Sequence, residues 1–103
     1  MEKVAFKMKL KPGMLEEYKK RHQEIWPKLV DLLHYNGISD YTIFLDEETD
    51  TLFAVQRLSG HSSQDLGNEV IVQKWWLYMR DLMEVNPDNS PISKNLQHVF
   101  HMD

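Results

Sequence analysis

The stretch that decides the fold runs from Met14 to Asn36 and contains the segment Tyr18-Lys-Lys-Arg-His22-Gln-Glu-Ile-Trp26-Pro27. In a helix, residues four positions apart lie on the same face, so Tyr18, His22 and Trp26 form one line. A helix that packs against a core normally presents leucines at such positions, rather than aromatic and titratable side chains. This line therefore predicts one wall of a pocket for a polar ligand.

An apolar stripe widens the same face of the predicted helix, and its members are Leu15, Ile25, Leu29, Leu32 and Leu33. Pro27 lies inside the helical pattern and removes one backbone donor. We therefore expect either a kink near Gln23–Pro27 or two helices in tandem. Gly37 provides a C-terminal stop after Asn36.

The rest of the chain predicts four strands and a second long helix. Strict alternation of apolar and lysine residues from Val4 to Lys11 indicates a half-buried strand. The other predicted elements are strands over Ile38 to Asp46 and Thr51 to Arg57, a helix over Asn68 to Glu84, and a short last strand over Leu96 to Met102. The order βαββαβ predicts an α+β, ferredoxin-like fold, with a four-stranded antiparallel sheet and both helices on one face.

One face of such a sheet is left without helices. Apolar side chains are nevertheless predicted for both faces, including Phe44, Phe53, Val55 and Val99. An uncovered apolar sheet face favours pairing with a second copy of the chain. The sequence therefore predicts a homodimer with two sheets packed face to face, a dimeric α+β barrel.

Composition limits the class of protein. The 103 residues predict a single domain spanning positions 1–103. The net charge of −4 argues mildly against nucleic acid as a partner. The sequence lacks any run of about 18 apolar residues, so no membrane span is predicted. It also lacks the apolar run of a signal peptide near its start, so we expect a cytoplasmic protein. Cysteine is absent, which excludes disulfides and thiolate nucleophiles.

His22 is the first candidate for chemistry, because an imidazole titrates near neutral pH and suits proton transfer. A lone histidine can equally be a core or surface residue, but Tyr18 and Trp26 one turn away on either side favour a pocket. The adjacent Trp75 and Trp76 point about 100° apart on a helix. Both can be packing or interface residues, or one can offer its indole ring to a sugar face.

Two further features are weaker candidates. Tyr41, on the second predicted strand, carries a phenol that can donate or accept a hydrogen bond. The segment Asn86-Pro-Asp-Asn-Ser-Pro91 is either a turn-rich connector or a rigid rim that offers amide and carboxylate groups to hydroxyls. His98 and His101 point to opposite faces of a strand, so no metal site is predicted there. A glycine-rich phosphate loop is also missing, and no cofactor is predicted.

In order and spacing, several of these motifs together resemble the L-rhamnose mutarotase family. They are Tyr18-x-x-x-His22-x-x-x-Trp26-Pro27, Tyr41-x-Ile-x-Leu-Asp46, Trp75-Trp76-x-Tyr78-Met79 and Asn86-Pro-Asp-Asn-Ser-Pro91. The resemblance implies a dimeric ferredoxin-like protein that interconverts the α and β anomers of L-rhamnose without a cofactor. By position, His22 resembles the family's proton donor. The family's substrate-binding residues correspond to Tyr18, Tyr41, Trp75 and Trp76. The segment from Ser59 to Glu69 matches no part of the pattern.

The chemistry of mutarotation agrees with a histidine as the main candidate residue. Opening a hemiacetal requires one proton delivered to the ring oxygen and one taken from the anomeric hydroxyl, which a histidine and a second group can achieve. The hypothesis is that His22 protonates the ring oxygen, with the base unassigned. Two rivals share the fold: a cofactor-free or haem-linked monooxygenase, and a non-catalytic small-molecule binding module.

Overall fold

The computed structural model describes residues 2–103 and contains four strands, three α-helices and one short 3-10 turn. Strand β1 spans Glu2–Lys9, followed by helices α1 (Leu15–Gln23) and α2 (Pro27–Tyr35). Strands β2 (Ile38–Asp46) and β3 (Thr51–Leu58) come next, then the 3-10 turn Ser63–Asp65, helix α3 (Val70–Met79) and strand β4 (Ser93–Asn95).

The four strands form one antiparallel sheet in the order β2-β3-β1-β4. Consecutive strands β2 and β3 form a hairpin, and β1 lies between β3 and β4. The predicted α+β, ferredoxin-like arrangement of a four-stranded antiparallel sheet is therefore confirmed.

The predicted helical break is present as two tandem helices. Trp26 has an extended backbone (φ −65°, ψ 126°), and Pro27 is the first residue of α2. Proline disfavours helical geometry in the residue before it but fits the first turn of a helix, so Pro27 ends one helix and starts the next. Gly37 follows α2 with a φ of +83°, a conformation that L side chains rarely adopt.

The helices cover one face of the sheet and bury two apolar clusters. One cluster lies under α1 and the end of α3, and its fully buried members include Phe6, Leu52 and Leu82. The other lies between α2, α3 and the hairpin, and contains Leu29, Ile38, Leu58, Leu66, Val72 and Trp76. The functional residues described below lie where these two clusters meet, because Trp75 packs against both.

Two predicted boundaries were wrong. Helix α3 ends at Met79 rather than Glu84, since the following residues instead bond to the first strand's end. Lys11 N donates to the Leu82 carbonyl (2.8 Å), and Glu84 N donates to the Lys9 carbonyl (3.0 Å).

The last strand was also placed too late in the chain. Strand β4 is the polar segment Ser93–Asn95, which pairs with Phe6–Met8 through backbone groups alone. Leu96 to Met102 forms no strand, and Val99 and Phe100 are exposed. The apolar pattern was a poor guide there because a three-residue edge strand needs no apolar side chains of its own.

Candidate active site

A cavity of about 820 Å³ opens between helices α1 and α3 and strand β2. The five residues that the sequence assigns to the site line it: Tyr18, His22, Tyr41, Trp75 and Trp76. Trp26, predicted to continue the line of Tyr18 and His22 on one helix, does not line it, because α1 ends at Gln23 and Trp26 has an extended backbone before α2. Most of the remaining lining is apolar and includes Met8, Leu15, Ile43, Leu45, Met79 and Met83. The cavity can therefore hold a compact organic molecule with an apolar side and a few polar groups.

His22 lies at the last turn of α1, between two aromatic rings. Its ring centroid is 4.4 Å from that of Tyr18 and 5.5 Å from that of Trp75, which meets it edge-on. Nδ1 of His22 lies 3.0 Å from the backbone carbonyl of Tyr18. A carbonyl can only accept, so Nδ1 carries a hydrogen and donates it. In the neutral imidazole, Nε2 is then an unprotonated acceptor.

Burial lowers the pKa of His22 below 6.5, against a smaller opposing effect of its hydrogen bond to the Tyr18 carbonyl. The cause is that a partly buried imidazolium loses its solvation. His22 is therefore neutral at pH 7. An acceptor nitrogen in a cavity near aromatic walls is suited to take a proton from a hydroxyl group.

Two phenols contribute to the same cavity. Burial raises the pKa of Tyr18, and the nearby charge of ionised Tyr41 raises it further. Burial also raises the pKa of Tyr41, while hydrogen bonding from Ser63 and Gln56 acts in the opposite direction. Tyr41 is 36% exposed, so part of it is accessible from outside. Both phenols are protonated at neutral pH and can donate hydrogen bonds.

Tyr41 lines the cavity from the same face of β2 as Ile43, and a β-bulge lies between Ser39 and Thr42. Ser39 pairs with Arg57 and Thr42 with Val55, so Asp40 and Tyr41 together stand opposite Gln56. Asp40 has a φ of +49° and its carboxylate accepts from Arg57 Nε at 3.1 Å.

The two adjacent tryptophans have different surroundings, as their helical positions predicted. Trp75 belongs to an aromatic group with Trp26 (centroids 5.1 Å apart) and Tyr78 (5.8 Å). Trp76 is only 7% exposed and packs in the second core cluster, where its ring is 3.2 Å from the place that a Cβ on Gly67 would occupy. Trp75 is thus the partly accessible indole, and Trp76 is the packed one.

The comparisons with known proteins agree with one another. A sequence model of the L-rhamnose mutarotase family matches residues 3–102. This chain belongs to that family. L-rhamnose mutarotases from Formosa agariphila and Bacteroides thetaiotaomicron are 59% and 62% identical to it, each over 104 residues and with 100% of both chains covered. The crystal structure of L-rhamnose mutarotase from Formosa agariphila superposes with a TM-score of 0.94 at 55% identity, covering 100% of both chains.

Not every residue that carried the resemblance to the mutarotase family lies at the cavity. In the segment from Asn86 to Pro91, only Pro91 lines it. Asn86 Nδ2 donates to Ser90 Oγ (3.0 Å), and Asp88 accepts from Ser90 N (3.0 Å). These polar groups stabilise the turn itself, which matches the connector interpretation rather than the rim interpretation.

Sequence reasoning missed Arg21, which joins α1 to the end of α3 in this mutarotase family member. Its guanidinium donates to Asp81 (2.8 Å), to Glu17 (2.8 Å) and to the Tyr78 carbonyl (2.6 Å). It also lies 4.6 Å from the centre of the Tyr78 ring. The i,i+4 spacing of Glu17 and Arg21 indicates one ion pair, but no spacing indicates the other, since Asp81 lies far along the chain. Arg21 fixes the helix that carries His22 against the helix that carries Trp75.

Sequence reasoning also missed Gln56 and Ser63, two buried polar residues, of which Ser63 lines the cavity. Ser63 lies in the segment from Ser59 to Glu69 that the family motifs left unmatched. A glutamine at an inward position of a strand was the available signal, because such a position normally carries an apolar residue.

The described part of the chain, residues 2–103, contains no group of three His, Asp or Glu side chains placed to hold a metal ion. None of its helices has the length and apolar character needed to span a membrane.

Proposed function

We propose that this protein is an L-rhamnose mutarotase, which interconverts the α and β anomers of L-rhamnose by ring opening and closure. Membership of the family supports the activity. The observation that carries the chemistry is a neutral histidine, between phenol and indole rings, in a cavity of suitable size. The largely apolar lining suits a 6-deoxy sugar, whose methyl group needs no hydrogen-bond partner.

We propose His22 as the catalytic residue that moves the proton of the anomeric hydroxyl. The sequence-based hypothesis made His22 a donor to the ring oxygen. A neutral ring with a free Nε2 supports a different first step, in which His22 accepts the proton as the ring opens. It returns that proton to the carbonyl oxygen when the ring closes, so it is a donor in the second half of the reaction.

We propose Tyr18, Tyr41, Trp75 and Trp76 as the residues that hold the sugar. Indole and phenol rings pack against the C–H faces of a sugar, and their N–H and O–H groups donate to its hydroxyls. The reaction exchanges protons only, so the proposal requires no cofactor and no metal.

The test is anomer exchange on L-rhamnose, measured by saturation-transfer NMR with and without the protein, beside L-fucose, D-galactose and D-ribose. We expect catalytic amounts of protein to accelerate exchange of L-rhamnose most. Acceleration of another sugar alone would keep the chemistry and reject the substrate. A folded protein that binds L-rhamnose without accelerating exchange would support the binding-module alternative instead.

We also propose a homodimer, formed by the sheet face that the helices leave uncovered. Phe44 on β2 is 63% exposed on that face, and the neighbouring Phe53 and Val55 are only partly buried. The exposed apolar tail with Val99 and Phe100 adds to the apolar surface available for pairing.

We propose that residues 1–103 form a single domain and that the protein acts in the cytoplasm.

Phe44→Asp should raise the dimer dissociation constant by about 30-fold or more, as expected for loss of an interface anchor worth about 2 kcal/mol. Sedimentation across a concentration series would measure it. Tyr35→Asp is the matched control, because Tyr35 is 88% exposed but lies on α2, away from this face. A wild-type chain that stays monomeric at micromolar concentration, or equal effects of both variants, would contradict the proposal.

A further inference from the structure

A buried polar pair lies at the wall of the cavity. Gln56 on β3 has no exposed surface, and Ser63 at the start of the 3-10 turn is 8% exposed. Gln56 Nε2 donates to Ser63 Oγ (2.5 Å), and the Ser63 backbone N–H donates to Gln56 Oε1 (3.3 Å). Placing two polar groups inside an apolar core carries a desolvation cost that packing alone does not require.

The directions of these hydrogen bonds leave one proton to place. Ser63 Oγ accepts from Gln56 Nε2 and also from Gln64 Nε2 (3.3 Å). A hydroxyl has two acceptor sites and one donor, so the Ser63 hydrogen is available to a further acceptor. Tyr41 stands opposite Gln56 across the bulge and lines the cavity together with Ser63. If the phenol oxygen accepts from Ser63, the hydrogen of Tyr41 is directed into the cavity.

On the basis of the proposed mutarotase function, we infer that Tyr41 is the second catalytic residue, which protonates the ring oxygen while His22 takes the anomeric proton. Ser63 and Gln56 are positioning residues, which hold the Tyr41 phenol as a donor towards the sugar. Helix α1 supplies the base and strand β2 the acid, so the two groups reach the sugar from different walls of the cavity.

The step balances without any other reactant. The proton on the anomeric oxygen moves to His22 Nε2, and the electron pair of that O–H bond forms the C=O bond of the aldehyde. The bond from the anomeric carbon to the ring oxygen breaks, and its electron pair accepts the proton of Tyr41. This leaves an imidazolium and a phenolate, whose opposite charges attract each other in the cavity. After the aldehyde rotates, closure on its other face returns both protons.

The buried pair gives Tyr41 an advantage over Tyr18 as the acid. Hydrogen bonds from Ser63 and Gln56 stabilise the charged form of the Tyr41 phenol and lower its pKa against the effect of burial. For Tyr18, burial and the neighbouring Tyr41 charge both raise the pKa, with no opposing hydrogen bond. Tyr18 instead supplies the carbonyl that fixes the His22 tautomer.

The experiment combines Tyr41→Phe and Ser63→Ala in a double-mutant cycle, with anomer exchange of L-rhamnose measured across sugar concentrations. We expect Tyr41→Phe to lower the maximal rate by about 100-fold or more, since positioned proton transfer contributes on that scale. Ser63→Ala should lower it by about 2- to 10-fold, the value of one hydrogen bond, with little change in half-saturation. In the Tyr41→Phe background, Ser63→Ala should have no further effect.

Ser62→Ala is the control, because Ser62 caps the same 3-10 turn through Gln64 N (3.3 Å) but does not line the cavity. Its rate should stay within about twofold of wild type. If Ser63→Ala does not fold, Gln56→Met removes the same hydrogen bond at similar volume. Additive losses in the cycle, or a large loss in Tyr18→Phe with none in Tyr41→Phe, would overturn the inference. A wild-type protein without acceleration would instead reject the proposed function.

Discussion

His22→Ala should lower the rate of anomer exchange on L-rhamnose by about 10²- to 10⁴-fold, because it removes the proposed proton acceptor. Sugar binding should be partly retained, since the walls formed by Tyr41, Trp75 and Trp76 remain in place. Saturation-transfer NMR at several sugar concentrations separates the maximal rate from half-saturation. An unchanged maximal rate in a folded variant would reject the role of His22.

His22→Ala also removes volume and a polar group, and His22→Gln is the matched control for these two losses. Its amide can form hydrogen bonds but cannot carry a proton between oxygens, so its rate should be as low as that of His22→Ala. Added imidazole should restore part of the activity of His22→Ala, where a space is left, and none of the activity of His22→Gln. Full activity in His22→Gln would mean that the imidazole only shapes the cavity.

The rate of anomer exchange should depend on pH in a definite direction. Burial lowers the pKa of His22 below 6.5 in the folded protein, and the proposed base is the neutral form. Activity should therefore persist below pH 6.5 and fall only as the pH drops through the lower, folded pKa. The same shift means that the unfolded chain binds the proton more tightly, so this group reduces stability as pH falls below 6.5. A rate that fell at or above pH 6.5 would contradict the neutral resting state.

Trp76→Ala should lower the free energy of unfolding by about 3–5 kcal/mol, the usual cost of emptying a well-packed aromatic site. Trp76 is 7% exposed and contacts the second core cluster closely. Trp75→Ala should cost clearly less stability, because Trp75 is only half-buried, but it should raise the half-saturation concentration for L-rhamnose. Urea unfolding at one fixed protein concentration compares the two.

The neighbouring tryptophans thus serve as controls for each other, since the substitution and the helix are the same. Equal stability losses would mean that both indoles are core residues and that neither is reserved for the sugar. Trp75→Phe adds a second comparison, because it keeps an aromatic face and removes the indole N–H. If hydrogen bonding by Trp75 matters more than ring packing, this variant should bind L-rhamnose as weakly as Trp75→Ala.

Much of the fold was predictable because local patterns and tertiary structure agree. The alternation in β1 and the effect of Pro27 on its neighbour act over a few residues, so the sequence displays them directly. The last strand was not predictable, because β4 is set by backbone pairing with Phe6–Met8 and not by its polar side chains. The predicted end of α3 at Glu84 was wrong for a related reason, since Leu82 and Glu84 bond to residues at the distant end of β1.

The candidate site likewise contains residues that local spacing predicts and residues that only the folded chain reveals. Tyr18 and His22 are one helical turn apart, so their proximity follows from spacing alone, and the structure brings them together with Tyr41, Trp75 and Trp76. Arg21 and Ser63 depend on partners that only the folded chain places nearby: Asp81 for the first and Gln56 for the second. Such contacts leave no periodic trace in a sequence.

The break between α1 and α2 has a consequence for how this cavity can diverge between species. His22 lies in the last turn of the first helix, whereas Leu29, Val30 and Leu33 line the cavity from the second. Because Pro27 separates the two segments, a substitution in α2 can reshape the cavity without turning the histidine that precedes the break. Sugar preference can therefore drift during evolution while the proton chemistry is inherited unchanged.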